Sequence, residues 1–171
     1  MKFSEFTYER PSIDGIKTGL TKLLEEFNAA GTSEEAFEVY KQYDGALSRF
    51  STMSTIAFIR NSMDTADVFY DAEKRYFDEA GPQVAEYVQN FSLALVGSPH
   101  RPAMEKAFGK LMFLNIEIGL KTFKPEIIPD LQEENRLVTE YDKLIASAQI
   151  AFRGGTYTLA QMGPFHEDPD R

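Results

Sequence analysis

The sequence predicts a mainly α-helical fold, a bundle of about five to six helices, some of them long, followed by one short β-hairpin near the C-terminus. Three observations predict it. Apolar residues recur every three to four positions through most of the chain, clusters of Gly and Pro divide that pattern, and the period changes to two near the end. The length of 171 residues suits one domain, and we predict a single helical domain over residues 1–171.

The first two helices are predicted from caps and apolar stripes. Ser12 is positioned as the N-cap of a helix over residues 12–30. Thr32 or Ser33 is positioned to cap the second helix, over residues 33–62. Acidic residues in the first turn of this second helix favour the positive end of its dipole.

Three further helices follow. The third is predicted over residues 65–96, and we expect it to break or kink at Gly81-Pro82, because a residue before proline avoids the α region. The fourth is predicted over residues 101–122, after a clear glycine and proline stop. The fifth is predicted over residues 125–148, with apolar residues on one side and charged residues mostly on the other.

A hairpin is predicted over residues 149–160, with its two-residue turn at Gly154-Gly155, since glycine tolerates the positive φ of such turns. One face of this hairpin is apolar, and an isolated hairpin is marginal in water, so that face has to lie on something. The polar tail over residues 161–171 has the composition of a lead into another element. The predicted cross-strand pairs are Phe152 with Tyr157 and Ile150 with Leu159.

Charge and composition exclude several classes of function. The net charge is −9, without a Lys/Arg patch, so we predict no nucleic-acid partner and no binding to anionic membranes. No apolar stretch is long enough to cross a bilayer. The absence of cysteine excludes disulfides and thiolate sites and fits a reducing compartment, so a cytoplasmic location is predicted. The 14 Phe and 8 Tyr indicate either a ring-rich core or a surface that docks against something else.

Residues that could carry chemistry are few. The chain has two histidines, His100 and His166, and we interpret both as solvated residues. There is no His-Glu-x-x-His pair for zinc and no Glu-x-x-His for a di-iron bundle. Phosphate-binding glycine loops and the Gly-x-Ser-x-Gly nucleophile motif are also missing.

Two acidic groups have the spacing to place carboxylates together on one helix face. Such a group either binds a hard cation or consists of solvated acidic residues at the start of a helix, where their charge interacts favourably with the helix dipole. We adopt the second interpretation, because oxygen sites usually need ligands from loops as well. The sequence therefore predicts no catalytic and no metal-binding residue and leaves substrate-binding residues unknown. The groups are Asp64, Asp67 and Asp71, and Asp130, Glu133 and Glu134.

Several stretches carry a resemblance to a known family. The longest are Ile59–Thr65, continued by Phe69–Asp71 and Phe77–Glu79, and Lys124–Asn135, continued by Tyr141–Ile150; Tyr8–Pro11, Leu159–Gly163 and Asp168–Arg171 also fit. Together they resemble the N-terminal region of oligoendopeptidase F-like proteins, zinc metallopeptidases of the M3 family. The resemblance covers essentially the whole chain, and its motifs are structural rather than catalytic.

The resemblance implies a fold and a role. Family members are much longer, almost entirely helical, and hold zinc in a downstream His-Glu-x-x-His helix with a further glutamate. Their N-terminal helices help to wall a deep channel that admits short peptides and excludes folded proteins. It implies that residues 1–171 form a helical N-terminal lobe with no cofactor of its own, that zinc belongs to the full-length protein, and that the tail leads toward a missing catalytic lobe. By this reading the chain alone is not catalytic, and its partners are that lobe and short peptide substrates.

Two other interpretations stay open. A stand-alone helical binding module without enzymatic activity would be a well-closed monomer or a defined homodimer. An independent metal-dependent helical-bundle enzyme would need clustered inward-facing carboxylates with a histidine, and the sequence shows no such cluster.

Overall fold

The structure, a computed structural model, describes residues 3–166 and comprises two compact units, one up to Gln132 and the other from Glu133. The predicted mainly helical fold with one hairpin is confirmed. Within residues 3–166, none of the helices combines the length and the apolar character that crossing a bilayer requires. The last five residues of the predicted tail lie outside the described residues.

The helices and strands have well-defined bounds. The first unit begins with a 3-10 turn at Phe3–Glu5 and continues with α1 at Ile13–Ala29, α2 at Ser33–Met63, α3 at Val68–Gly97, α4 at Arg101–Phe108 and α5 at Lys110–Thr122. After a 3-10 turn at Pro125–Ile127, α6 at Ile128–Ser147 runs into the second unit, which contains β1 at Ile150–Phe152, β2 at Gly155–Tyr157, a 3-10 turn at Ala160–Met162 and α7 at Gly163–His166.

The caps of α1 and α2 are the predicted ones. Ser12 Oγ accepts a hydrogen bond from the backbone N–H of Gly15 at 3.2 Å. Thr32 and Glu35 form a reciprocal capping box, in which each side chain accepts from the other's backbone N–H at 3.2 Å. These bonds satisfy N–H groups that a helix start otherwise leaves without partners.

The expected break at Gly81-Pro82 is wrong, because α3 runs unbroken from Val68 to Gly97 with Pro82 inside it. A proline inside a helix removes one backbone hydrogen bond and costs about 3 kcal/mol. Packing offsets this cost, since α3 lies against α1, α2 and α5 and buries Pro82 itself.

The single helix predicted over residues 101–122 is wrong in the opposite sense. The chain forms α4 and α5, which meet at Gly109, where φ is +89°. Residues with a Cβ rarely adopt that conformation, whereas glycine does so without penalty. The Gly109 N–H still bonds to Glu105 O at 2.9 Å, so the end of α4 is closed before α5 starts in a new direction.

Aromatic rings fill the core of the first unit. The ring of Tyr43 on α2 stacks on that of Phe91 on α3, with centroids 3.7 Å apart and planes 9° from parallel. Phe27 of α1 lies 5.0 Å from Phe91 on another side. These contacts lock the three long helices together, and α4 and α5 contribute Met104 and Phe113 to the same cluster.

The hairpin register differs from the prediction. The turn lies at Arg153-Gly154, with φ of +45° and +79°, so Ile150 pairs with Tyr157 and Phe152 with Gly155. Gly155 lies in β2, where a Cβ would come 2.7–2.9 Å from the side chain of Tyr157, so the Tyr157 ring packs closely over the glycine. The expected apolar face survives the shift, and Phe165 of α7 lies against it, with ring centroids 5.2 Å from Phe152 and 5.0 Å from Tyr157.

Candidate functional site

The first acidic group, Asp64, Asp67 and Asp71, lies where α2 ends and α3 begins. Asp64 ends α2 and its Oδ1 accepts from the N–H of Ala66 at 3.0 Å. Asp67 caps α3 by accepting from two backbone N–H groups at 2.9 and 3.1 Å. Asp71 forms an ion pair with Arg75 one turn later. Asp64 and Asp67 therefore terminate and start helices, as capping chemistry favours, and Asp71 lies in the first turn of α3.

The second acidic group belongs to α6. Asp130 is exposed in the first turn, and Glu134 is exposed in the next. Glu133 accepts hydrogen bonds from Arg136 at 2.6 and 2.7 Å, and this arginine holds the pKa of the Glu133 carboxyl below its usual range. Arg136 also pairs with Glu140, so this edge of α6 carries a short ion-pair network.

The two histidines have different surroundings. His166 is exposed in α7. His100 is half-buried, and the interpretation as a solvated residue is wrong for it, because its Nε2 lies 3.1 Å from Ala30 O and its Nδ1 3.3 Å from Ser33 Oγ. The ring thereby connects the end of α1, the start of α2 and the start of α4. Those partners lie about 70 residues away along the chain, so local sequence could not have indicated them.

No metal centre emerges from these placements. Across residues 3–166, the His, Asp and Glu side chains form no group of three or more that could hold a metal ion.

A buried polar cluster was missed by the sequence analysis. Glu73 on α3 is only 2% exposed. Its two carboxylate oxygens accept hydrogen bonds from Arg10 Nε at 2.9 and 3.1 Å. The carboxylate also accepts from Arg10 Nη2 and from the hydroxyl of Tyr8. The Arg10 guanidinium also lies 5.0 Å from the ring centroid of Tyr76. One signal was available, since Glu73 stands on the apolar stripe of α3, four positions before Phe77.

The electrostatics of this cluster favour an ionised glutamate. Hydrogen bonding to Arg10 holds the pKa of Glu73 below its usual range. Burial raises the pKa of the Tyr8 phenol well above its usual range, and the bond to Glu73 raises it further. A carboxylate saturated by donors in this way is a poor proton acceptor, so the cluster fastens the N-terminal segment to α3 rather than performing acid–base chemistry.

Helix α5 is apolar on both sides. Its inner side buries Phe113, with Met112 and Ile116 packed beside it. Its outer side exposes three large apolar side chains at helical spacing, Leu111, Leu114 and Ile118. A helix that is apolar all round is normally covered all round.

Helix α6 exposes a longer apolar row. Five large side chains repeat at helical spacing on one side, and all are 40% exposed or more. Contiguous patches of this kind mark interaction surfaces more often than scattered exposed residues do. We refer to Leu137, Val138, Tyr141, Leu144 and Ile145 as the α6 stripe.

The chain is similar to one protein family and to several solved structures. The family model of the Peptidase M3 N-terminal domain matches residues 3–123. A protein provisionally named oligoendopeptidase F is 45% identical, with a TM-score of 0.96, and PZ peptidase A, solved with an inhibitor, is 46% identical, with a TM-score of 0.95. In both cases the similarity covers 99% of this chain and 30% of the solved chain.

A third solved structure agrees with the first two. This protein from Bacillus anthracis strain Ames, also provisionally named oligoendopeptidase F, is 41% identical with a TM-score of 0.93, over 96% of this chain and 30% of its own. No curated protein sequence gave a significant match. The chain thus spans about 30% of the length of the solved chains that it matches.

Proposed function

The chain belongs to the M3 peptidase family, as an N-terminal domain of the oligoendopeptidase F type, and from this we propose that it is the substrate-restricting lobe of a zinc oligopeptidase. The observation that carries the proposal is the match to solved chains of which this one spans only 30%, at 41–46% identity. In the proposal, the whole protein hydrolyses short peptides, and the chain alone is inert.

The chain's own residues do not fit the zinc site of such an enzyme. A catalytic zinc site takes three protein ligands and a water, and in this family two of those ligands are histidines one helical turn apart. The only histidines of the sequence are His100 and His166, and His100 is engaged with Ala30 and Ser33. In this proposal the metal and the catalytic residues therefore lie in polypeptide outside the 171 residues.

The contribution of the chain is steric. Helix α2 has 31 residues and α3 has 30, so each is about 45 Å long at a rise of roughly 1.5 Å per residue. The two pack against each other along a ring-rich core, and in the proposal they form one wall of the channel that holds the peptide. The Glu73 cluster holds the N-terminal segment against α3, on this wall.

Two further expectations belong to the proposal. One is that residues 1–171 act as a single lobe whose tail leads into the catalytic part. The other is a cytoplasmic location, with which a cysteine-free sequence is compatible.

The test compares the 171-residue chain with the longer protein that its gene is expected to encode. Both are supplied with Zn²⁺. Each is then assayed separately with an internally quenched short peptide and with a folded protein whose amino-acid composition is similar to that of the peptide. We expect the longer protein to cleave the peptide, to lose that activity with a chelator, and to spare the folded protein. The 171-residue chain should give no hydrolysis above the zinc-only blank.

Two results would contradict the proposal. Zinc-dependent cleavage by the 171-residue chain alone would mean that it carries its own active site. A longer protein that cleaves folded and short substrates equally would mean that the lobe does not restrict access. A gene that encodes no peptidase beyond residue 171 would instead favour the helical binding module.

A further inference from the structure

Helix α6 has a polar strip of residues partly covered and its apolar side exposed. Thr139 is only 5% exposed, and Asn135 and Lys143, four positions away on either side, are partly buried. On the opposite side, Tyr141 and Leu144 of the α6 stripe are 63% and 67% exposed. A surface helix of a globular domain normally has the reverse arrangement, with its apolar side toward the core and its polar side toward solvent.

The α6 stripe is continuous. Its members follow one another at spacings of one, three and four residues, so that their side chains form neighbouring contacts along more than two turns. Between residues 137 and 145 no charged side chain interrupts this side of the helix. The ion pairs of Arg136 with Glu133 and Glu140 lie along one edge and keep it polar. An apolar centre with a polar edge is the composition of a protein interface.

We propose that the α6 stripe is the surface on which the rest of the longer M3 polypeptide packs, with its catalytic part supplying an apolar counterpart to Tyr141 and Leu144. This inference rests on the proposed function. Its support is that most of the length of the solved chains lies outside the part matched by this chain, so polypeptide is available to cover the stripe.

The size of the stripe favours a tethered partner over a second copy of the chain. A stable interface between separate proteins takes roughly 20–30 residues from each side. The stripe offers five large side chains, which is too few to hold two independent chains together. A partner on the same polypeptide is present at an effective concentration of about millimolar, so a smaller apolar contact is enough.

Hydroxyl-radical footprinting tests the inference, because it reports the exposure of individual side chains. The 171-residue chain and the longer protein are labelled under identical conditions. We expect Tyr141 and Leu144 to be labelled several-fold less in the longer protein. Leu93 is the control, since it is 55% exposed on α3 and lies outside the α6 stripe. Its labelling should be the same in both proteins.

A pair of variants provides an independent measurement. Leu144→Lys and Leu93→Lys should both leave the melting temperature of the 171-residue chain unchanged, since each side chain is exposed there. In the longer protein, Leu144→Lys should lower the melting temperature by several degrees, because a charge would then be buried in an apolar contact, and Leu93→Lys should not.

The outcomes separate this inference from the proposed function. A peptidase-active longer protein whose stripe is labelled as strongly as in the 171-residue chain would overturn the docking and leave the proposed function standing. A longer protein that protects the stripe from labelling but has no peptidase activity would support the docking and contradict the proposed function. Light scattering gives the oligomeric state of the 171-residue chain. If the wild-type chain were a dimer and its Leu144→Lys variant a monomer, the occupant of the stripe would be a second copy, and the inference would be overturned.

Discussion

The guanidinium of Arg10 donates hydrogen bonds to both carboxylate oxygens of Glu73, which lies 63 positions further along the chain. This contact joins an irregular N-terminal segment to the second turn of α3. The hydroxyl of Tyr8 donates to the same carboxylate, so one buried side chain anchors two residues of the segment. Charge-assisted bonds of this geometry are the strong ones among protein hydrogen bonds.

Replacing this carboxylate should destabilise the folded chain. Glu73→Gln keeps the shape and removes the charge, and hydrogen bonds to charged groups contribute about 1.5–3 kcal/mol, so we expect a loss of about that size in the free energy of unfolding. Urea denaturation followed by circular dichroism measures it. Glu79→Gln, at an exposed site on the same helix, is the control and should have little effect. Equal effects of the two substitutions would mean that the cluster contributes nothing specific.

The same carboxylate should make stability depend on pH. Arg10 lowers the pKa of Glu73 in the folded chain, whereas an unfolded glutamate titrates near about 4.3. The stabilisation is therefore complete above the unfolded pKa and is lost as the pH falls through the lower folded value. We expect the difference in urea midpoint between the wild type and Glu73→Gln to shrink between about pH 6 and about pH 3. A difference that grows on acidification would contradict this assignment.

The capping box at the start of α2 gives a third prediction. Thr32→Ala removes the acceptor for the N–H of Glu35 and should cost about 1 kcal/mol of unfolding free energy. Thr52→Ala is the matched control, because that exposed hydroxyl bonds back to Ser48 O inside the same helix, an interaction that gives a helix no net support. Thermal unfolding compares the two. A larger loss from Thr52→Ala would show that the box does not set the start of the helix.

Two glycines, one directly before α5 and one inside it, should respond in opposite directions to replacement by alanine. Gly109 has φ of +89°, so Gly109→Ala forces a strained backbone and should cost about 1–3 kcal/mol. Gly119 lies inside α5 with open space around its Cα, so Gly119→Ala should stabilise the chain by about 0.5–1 kcal/mol. Urea midpoints measure both. If Gly109→Ala were neutral, α4 and α5 would be one helix, as the periodicity predicts.

The mainly helical fold and the first two caps could be predicted because they depend on local spacing. Ser12 and Thr32 satisfy N–H groups within three residues of themselves, and sequence shows that neighbourhood directly. The Glu73 cluster and the contacts of His100 could not be predicted, since their partners lie more than 60 residues away. Pro82 was misjudged for a related reason, because tertiary packing around α3 offsets a local penalty.

The hairpin and α6 show two other limits. The turn lies at Arg153-Gly154 and not at Gly154-Gly155, since Arg153, which is not a glycine, takes one of the two positive φ values; a two-residue glycine pattern does not reveal this. For α6, periodicity correctly grouped Val138, Tyr141 and Leu144 on one side. Periodicity states which residues share a side, but not what covers that side, and within the described residues this one is exposed.

Adjacent residues on α5 provide the last prediction. Phe113 is fully buried, whereas Leu114 is 52% exposed on the outer side of the helix. Phe113→Ala should leave a cavity in the ring-rich core and cost about 3–5 kcal/mol of unfolding free energy, while Leu114→Ala should change it by no more than about 0.5 kcal/mol. Urea denaturation of the 171-residue chain measures both, and each variant serves as the other's control, since they share one helix and neighbouring positions. Similar losses from the two substitutions would mean that both sides of α5 are already covered within this chain. A large loss from Phe113→Ala alone would leave the outer side available for packing against further polypeptide, in agreement with the proposed function.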